Sequence, residues 1–354
     1  MKPILPLLLR RSLLASLLVP IISLSFSASA ADFMVDASQY SDPDNNIYST
    51  LEELVSSVAL VAGDTVILNN DDASLPTGLT VPVNFRSADP AALCAVDLSG
   101  LGKNPLYDLG AGEYTLEMDS VIWSKGAAGV IRTADDNVSL EITGEVQFLN
   151  NHVDNSNNSA YGGAIYMEGD HATLTLGSNA TFSGNYASSD SSSISTSSGG
   201  AIYMQGVNSF LTIRNGAIFT NNYSSTYGGA IYLQGITTDN SSRFLAFTHD
   251  VLFSGNMTGG TFTQHNDGSF SVVNGVANAI HVDGTNHLQL AAAQGKEVRF
   301  NDPITSAAYF SSTENVTLSL NQYTDDDGIS HTTDGTVTVS YTNLRAHETR
   351  GNLV

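Results

Sequence analysis

The tetrapeptide Gly-Gly-Ala-Ile stands at Gly162, Gly163, Ala164, Ile165, again at Gly199, Gly200, Ala201, Ile202, and a third time at Gly228, Gly229, Ala230, Ile231. Each copy is followed by Phe-x-x-Asn: Phe182 and Asn185, Phe219 and Asn222, Phe253 and Asn256. A chain that rewrites one unit in this way asks each copy to fold like its neighbours, which is the mark of a stacked-repeat architecture. Worn copies extend the series. Stepping back 34 residues from the first copy places Ile131, Leu140, Ile142 and Phe148 at the positions of Ile165, Leu174, Leu176 and Phe182, with Asn151 completing the pair. Stepping forward, Ile280, Leu288, Leu290 and Phe300 keep the pattern with a small insertion.

The distance from Gly-Gly-Ala-Ile to Phe-x-x-Asn holds at about 20 to 25 residues, whereas the return varies from about 9 to 24, so each unit has one elastic surface connection. Within a unit, the runs AIYM, TLTL and ATF alternate with period two between Gly, Asn and Ser. They read as three short strands, and no helical pattern intervenes. Three strands per turn, stacked at about 4.8 Å, predict an all-β chain wound as a parallel β-helix. Stacking then predicts an internal column of Phe148, Phe182, Phe219, Phe253 and Phe300. Beside it should run an aliphatic column of Leu174/Leu176, Leu211/Ile213 and Leu245/Phe247. Asn151, Asn185, Asn222 and Asn256 should form an amide ladder, each donating to the adjacent rung. The paired glycines suit a turn needing positive φ or close backbone approach.

Near the start, YSTLEELVSSV carries a Ser/Thr cap, two glutamates and Leu51, Leu54, Val55 and Val58 at helical spacing, before Gly63 and Asp64 lead into a strand. A short helix there would cover the open top of the coil. At the other end Pro303 removes a donor and is expected to stop regular stacking. The expected organisation is a signal segment over 1–30, a cap over 31–75, the β-helix over 76–304 and a post-repeat segment over 305–354.

Lys2, Arg10 and Arg11, an apolar run and the small residues Ala28 to Ala30 have the order of a secretory signal with cleavage after Ala30. A formal net charge of -22 repels phosphates, which argues against nucleic-acid partners. The single cysteine, Cys94, permits no internal disulfide and reads as a small buried residue.

These repeats resemble those of the polymorphic outer-membrane proteins, autotransporter passengers defined by the same two tetrapeptides. The resemblance covers about residues 128–304, and LQLAAAQGKEVRFNDPI is similar to the segment that closes the repeat region in that family. It implies a right-handed β-helix, export, display on the outer membrane and adhesion through the two motifs, with a host or neighbouring cell-surface protein or glycan as partner. Members of the family usually carry many cysteines and end in a membrane barrel. This sequence has one cysteine, and its tail LRAHETRGNLV shows no strand alternation, so the expectation is a truncated or frameshifted gene, or a passenger separated from its anchor.

The rival reading is a secreted polysaccharide lyase or hydrolase, which needs converging carboxylates or an acidic calcium site. Asp135/Asp136 and Asp170/His171 occupy one turn of consecutive copies, but the next copies have Val207/Asn208 and Ile236/Thr237 there, so solvated turns are expected. Asp42, Asp44, Asn46 and Glu53 have calcium-loop spacing, yet Ile47 replaces the required glycine. The run Asp325 to Asp327 reads as another solvated turn. No catalytic residue, metal or cofactor is assigned. Tyr166, Tyr203 and Tyr232 follow the tetrapeptide directly; with the isoleucines inward, alternation sends these rings outward as an exposed stripe suited either to binding or to covering the sheet.

Overall fold

The computed structural model describes residues 30–341 apart from 70–72, 76, 80, 155–158, 178, 190–195, 235–241, 285 and 307–315. The proposed signal, save Ala30, and the tail from Leu344 lie outside the described residues.

The chain winds as a parallel β-helix whose rungs stack strand on strand. Ile131–Thr133, Ile165–Glu168, Ile202–Gln205, Ile231–Gln234 and Ile280–Asp283 form one ladder. A central ladder of eleven strands runs from Ile47–Tyr48 and Asp32–Val35 to Val316–Leu320, about 48 Å at ordinary strand spacing. The third ladder carries the Phe-x-x-Asn strands Val146–Leu149, Ala180–Ser183, Ala217–Thr220 and Val251–Ser254. Its last long strand, Glu297–Ser306, also pairs with Ile280–Asp283 and so joins the third ladder to the first. A short corner ladder of His152–Asp154, Tyr186–Ser188, Tyr223–Ser224 and Met257–Thr258 closes the coil.

Register follows the repeats. Phe148 pairs with Phe182, Phe182 with Phe219, Phe219 with Phe253, and Phe253 with Phe300. All five rings are fully buried, and neighbours stack at 4.4 to 4.8 Å within 10° of parallel. Such pairs add about 0.5 to 1.5 kcal/mol each beyond the area they bury. The column reaches back to Trp123, so coiling begins before the first recognisable repeat. Parallel pairing starts at Asp32, and the early rungs have the same topology without the tetrapeptides.

The amide ladder has one hydrogen-bond rule. Asn185 Oδ1 accepts from the backbone N and the Nδ2 of Asn151 at 3.0 and 3.1 Å, while Asn185 Nδ2 donates to the carbonyl of Phe148 at 2.9 Å. Asn222 repeats this toward Asn185, and Asn256 toward Asn222. Each buried amide thereby satisfies groups of the preceding rung, and leaving them unmatched would cost about 1 to 3 kcal/mol apiece. The ladder ends on a carboxylate: Asp302 accepts from Asn256 N and Nδ2 at 2.8 and 2.7 Å and from Gly255 N at 3.0 Å.

The helix spans Leu51–Ser57. Thr50 caps it by accepting from Glu53 N, and Leu54 is fully buried against the end of the coil. Cys94 is buried, 3.3 Å from Ser87 Oγ, and donates to Leu68 O.

Two expectations are corrected. Ile213 pairs with Phe244, not Phe247, so Ser242, Phe244 and Ala246 face inward and pair with Leu288, Leu290 and Ala292. Alignment by Leu245 was three residues out of register, and an odd slip exchanges the two faces of a strand. Pro303 does not end the coil either. Its carbonyl still accepts from Ala279 N at 2.8 Å, the pairing register shifts between Phe300 and Ile304, and parallel pairing continues into Val316–Leu320 and Thr336–Tyr341.

Candidate functional site

The glycine pair and the asparagine motif meet at one corner. Gly162, Gly199 and Gly228 have φ between 61° and 66°, the left-handed region that favours glycine. Their partners are excluded from side chains by space: a Cβ on Gly200 would lie 2.1 Å from Gly229 O and 2.4 Å from Tyr223 O, the residue after Asn222. The two motifs are therefore two walls of one narrow turn. Ala164, Ala201 and Ala230 and the isoleucines beside them are fully buried, as are the phenylalanines, and the asparagines are at most 1% exposed. Every motif side chain is used in closing the coil.

The stripe of Tyr166, Tyr203 and Tyr232 does leave the strands on the outer face, but it is not exposed. The three are 7, 4 and 7% accessible. Their rings stack at 5.5 and 5.0 Å within 7° of parallel, Arg132 caps one end 4.7 Å from the Tyr166 centroid, and His281 continues the other 5.7 Å from Tyr232. Tyr161 and Tyr227 lie over the column, 4.5 Å from Tyr203 and 4.4 Å from His281. The correction has a physical cause: alternation fixes the face a residue points to, while the return segments decide whether that face is wet. Burial drives the hydroxyls of Tyr203 and Tyr232 upward in pKa, with Tyr232 beside Tyr203 and Asp283 beside Tyr232 adding to it. Burial lowers His281 to about 4 against the opposing pull of Asp283. Its Nδ1 is 2.9 Å from Thr305 Oγ1, and its Nε2 has no partner among the described residues. Tyr161 and Tyr227 were legible as the residues just before Gly-Gly in YGGAIY.

Two hairpins fold back over the coil. Thr261–Gln264 and Phe270–Val273 pair antiparallel and lay Phe262 5.0 and 4.9 Å from Tyr186 and Tyr223, with Phe270 5.3 and 5.7 Å away. Between this hairpin and the Phe-x-x-Asn corner is a cleft of about 360 Å³. On its coil side the residues preceding each ladder asparagine alternate as Asn150, Gly184, Asn221 and Gly255, all with φ of 54° to 73°. Asn150 Oδ1 would stand 2.2 Å from a Cβ on Gly184, and Asn221 Oδ1 2.5 Å from one on Gly255. Each asparagine thus reaches over the next rung and requires glycine there. The alternation is readable as FLNN, FSGN, FTNN, FSGN, and only three dimensions give it a reason.

In the second hairpin, Gln322–Thr324 with Ser330–Thr332, the run Asp325 to Asp327 forms the solvated turn that was expected. Asp326 bonds Arg214 and Arg243, from successive rungs, at 3.0 and 2.6 Å, while Asp325 accepts from Asp327 N, Ile329 N and His331 Nε2. Nonlocal pairing of this kind leaves no mark in a local charge run.

The carboxylates weighed for catalysis act as links between rungs. Asp136 Oδ1 accepts from Asp170 N, Asp170 Oδ1 from Val207 N, both at 2.8 Å, and Asp135 Oδ2 from Ala111 N at 3.2 Å. At the calcium-like spacing, Glu53 Oε2 accepts from Ser41 and Ser49, while Asn46 Nδ2 donates to Asp32 O. Among the described residues no group of three or more His, Cys, Asp or Glu could hold a metal ion.

Coil, columns and corner define a parallel β-helix built from Gly-Gly-Ala-Ile and Phe-x-x-Asn rungs. The family model described as the Chlamydia polymorphic membrane protein (Chlamydia_PMP) repeat matches residues 179–205 and 216–234, each segment running from one Phe-x-x-Asn to the next Gly-Gly-Ala-Ile. These segments of the chain carry repeats of the polymorphic membrane protein type. No curated protein and no solved structure matches it.

Proposed function

We propose that this chain is an exported, surface-displayed passenger of the autotransporter kind, serving as an adhesin or stalk in attachment to host or neighbouring cells. The observation that carries the reading is the division of labour just described. The repeated residues are buried in the coil, so a rod of about 48 Å can keep its shape while the returns between rungs and the folded-back hairpins vary and meet a partner. A binding role for the two tetrapeptides is then indirect: they hold the surface that binds.

The test coats beads with the purified mature chain and counts attachment to cultured mammalian cells and to bacteria. Attachment that soluble chain competes away supports the reading, whereas beads that adhere no better than those coated with albumin refute it. The rival lyase or hydrolase reading receives a direct assay, release of reducing or unsaturated ends from a polysaccharide panel. The rung-linking bonds of Asp136 and Asp170 favour the non-enzymatic reading, because those carboxylates are already committed to neighbouring backbone N–H groups.

A further inference from the structure

We infer that the cleft beneath the Thr261–Val273 hairpin binds a short neutral saccharide, a reading that rests on the proposed adhesive role and names its ligand class. Three observations carry it. The first is unspent hydrogen-bonding capacity. The side-chain amides of Asn150 and Asn221 line the cleft and make no side-chain hydrogen bond among the described residues, although the asparagines one position later are fully engaged in the ladder. A planar amide offers donor and acceptor together, which suits the vicinal hydroxyls of a sugar ring. Gly184 and Gly255 make room for these amides, whose Oδ1 atoms lie 2.2 and 2.5 Å from where a Cβ would stand on the glycine of the next rung. Two rungs separate Asn150 from Asn221, about 9.6 Å at strand spacing, so the amides make two stations along the coil axis rather than one point contact.

The second observation is the opposite wall. Phe270 and Val272 of the hairpin give an apolar surface, with Met257 of the corner ladder beside it, and Ser183 and Ser269 add hydroxyls to the lining. A pyranose has a C–H face and a rim of hydroxyls, and this cleft pairs one wall with each. The third is charge. None of the residues lining the cleft is ionisable, and the whole chain carries a formal -22, so sulfated or sialylated chains are repelled and a charged peptide finds no ion partner. A purely apolar ligand would strip water from both amides without replacing its hydrogen bonds. The volume of about 360 Å³ falls at the small end of ligand sites, the size of a disaccharide rather than a polymer groove.

Isothermal titration of the full mature chain with cellobiose, N,N′-diacetylchitobiose, lactose and maltose tests the inference, with sialyllactose and an uncharged tetrapeptide alongside. At least one neutral disaccharide is expected to bind in the millimolar range or tighter. The double substitution Asn150→Gly and Asn221→Gly, which keeps the left-handed backbone while removing both amides, is expected to weaken that binding at least tenfold with the melting temperature unchanged. Should the double variant fold poorly, Asn221→Gly alone serves, since that side chain is exposed, and a loss of at least threefold is expected. No binding by any neutral disaccharide, preference for sialyllactose or the peptide, or unchanged affinity in the variants would overturn the proposal. Bead attachment separates it from the reading beneath it: adhesion without saccharide binding sinks the ligand class alone, and saccharide binding without adhesion sinks the adhesive role alone.

Discussion

The phenylalanine column and the tyrosine column are built by the same repeat, at the same strand spacing, and differ in what covers them. Phe148 to Phe300 lie inside the coil, where the three ladders enclose them on every side. Tyr166, Tyr203 and Tyr232 lie outside it, and are dry because Tyr161, Tyr227 and the returning chain lie over them. One is buried by the closure of the coil itself, the other by residues laid over its outer face. A solenoid can thus carry a second apolar stack on its outer face, at the cost of depending on its loops.

Breaking the inner column should have the largest effect. Phe219→Ala removes a fully buried ring with parallel neighbours on both sides, and a loss of about 3 to 5 kcal/mol in urea unfolding is expected. Tyr203→Ala strikes the equivalent rung of the outer column, where loops can settle into the gap; about 2 kcal/mol is expected. An equal loss from both would show the two columns to be buried alike and erase the contrast.

Acid sharpens the comparison, since only the outer column contains a titratable imidazole. His281 is depressed from 6.5 to about 4, so the unfolded chain takes up a proton on this residue before the folded one does. Its contribution is complete above pH 6.5 and is lost as the pH falls toward 4, a change on the order of 2 to 3 kcal/mol. His152 and His287 are shifted in the same direction by burial and steepen the slope. His281→Phe should flatten the decline between pH 6.5 and 4.5 in thermal melts, and a variant as acid-sensitive as the parent would count against this account. The smallest effect belongs to Tyr203→Phe, which keeps the ring and loses only its hydrogen bond to Gln205, worth about 0.5 to 1.5 kcal/mol.

Much of the coil could be read beforehand because the repeats align themselves. Ile131, Leu140, Ile142 and Phe148 pair with Ile165, Leu174, Leu176 and Phe182, the partners that spacing assigns to them. Alignment failed where the spacing changed: Ile213 lies 31 residues from its partner Phe244, against 37 from Leu176 to Ile213, and the shorter interval let Phe247 stand in for Phe244. The cleft was half visible. The alternation of asparagine and glycine before the ladder is printed in the chain, but its opposite wall comes from Phe270 and Val272, on a hairpin with no counterpart in other copies among the described residues.

Repetition determined which side chains lie above one another, because in-register parallel pairing turns sequence spacing directly into spatial neighbours. Only the tertiary structure decided where the non-repeating hairpins land, and with that which outer faces lose water, which acidic turn clasps Arg214 and Arg243, and where a cleft remains. The reason is physical: backbone hydrogen bonding fixes pairing one rung at a time, whereas the docking of a hairpin depends on surfaces assembled from several rungs at once.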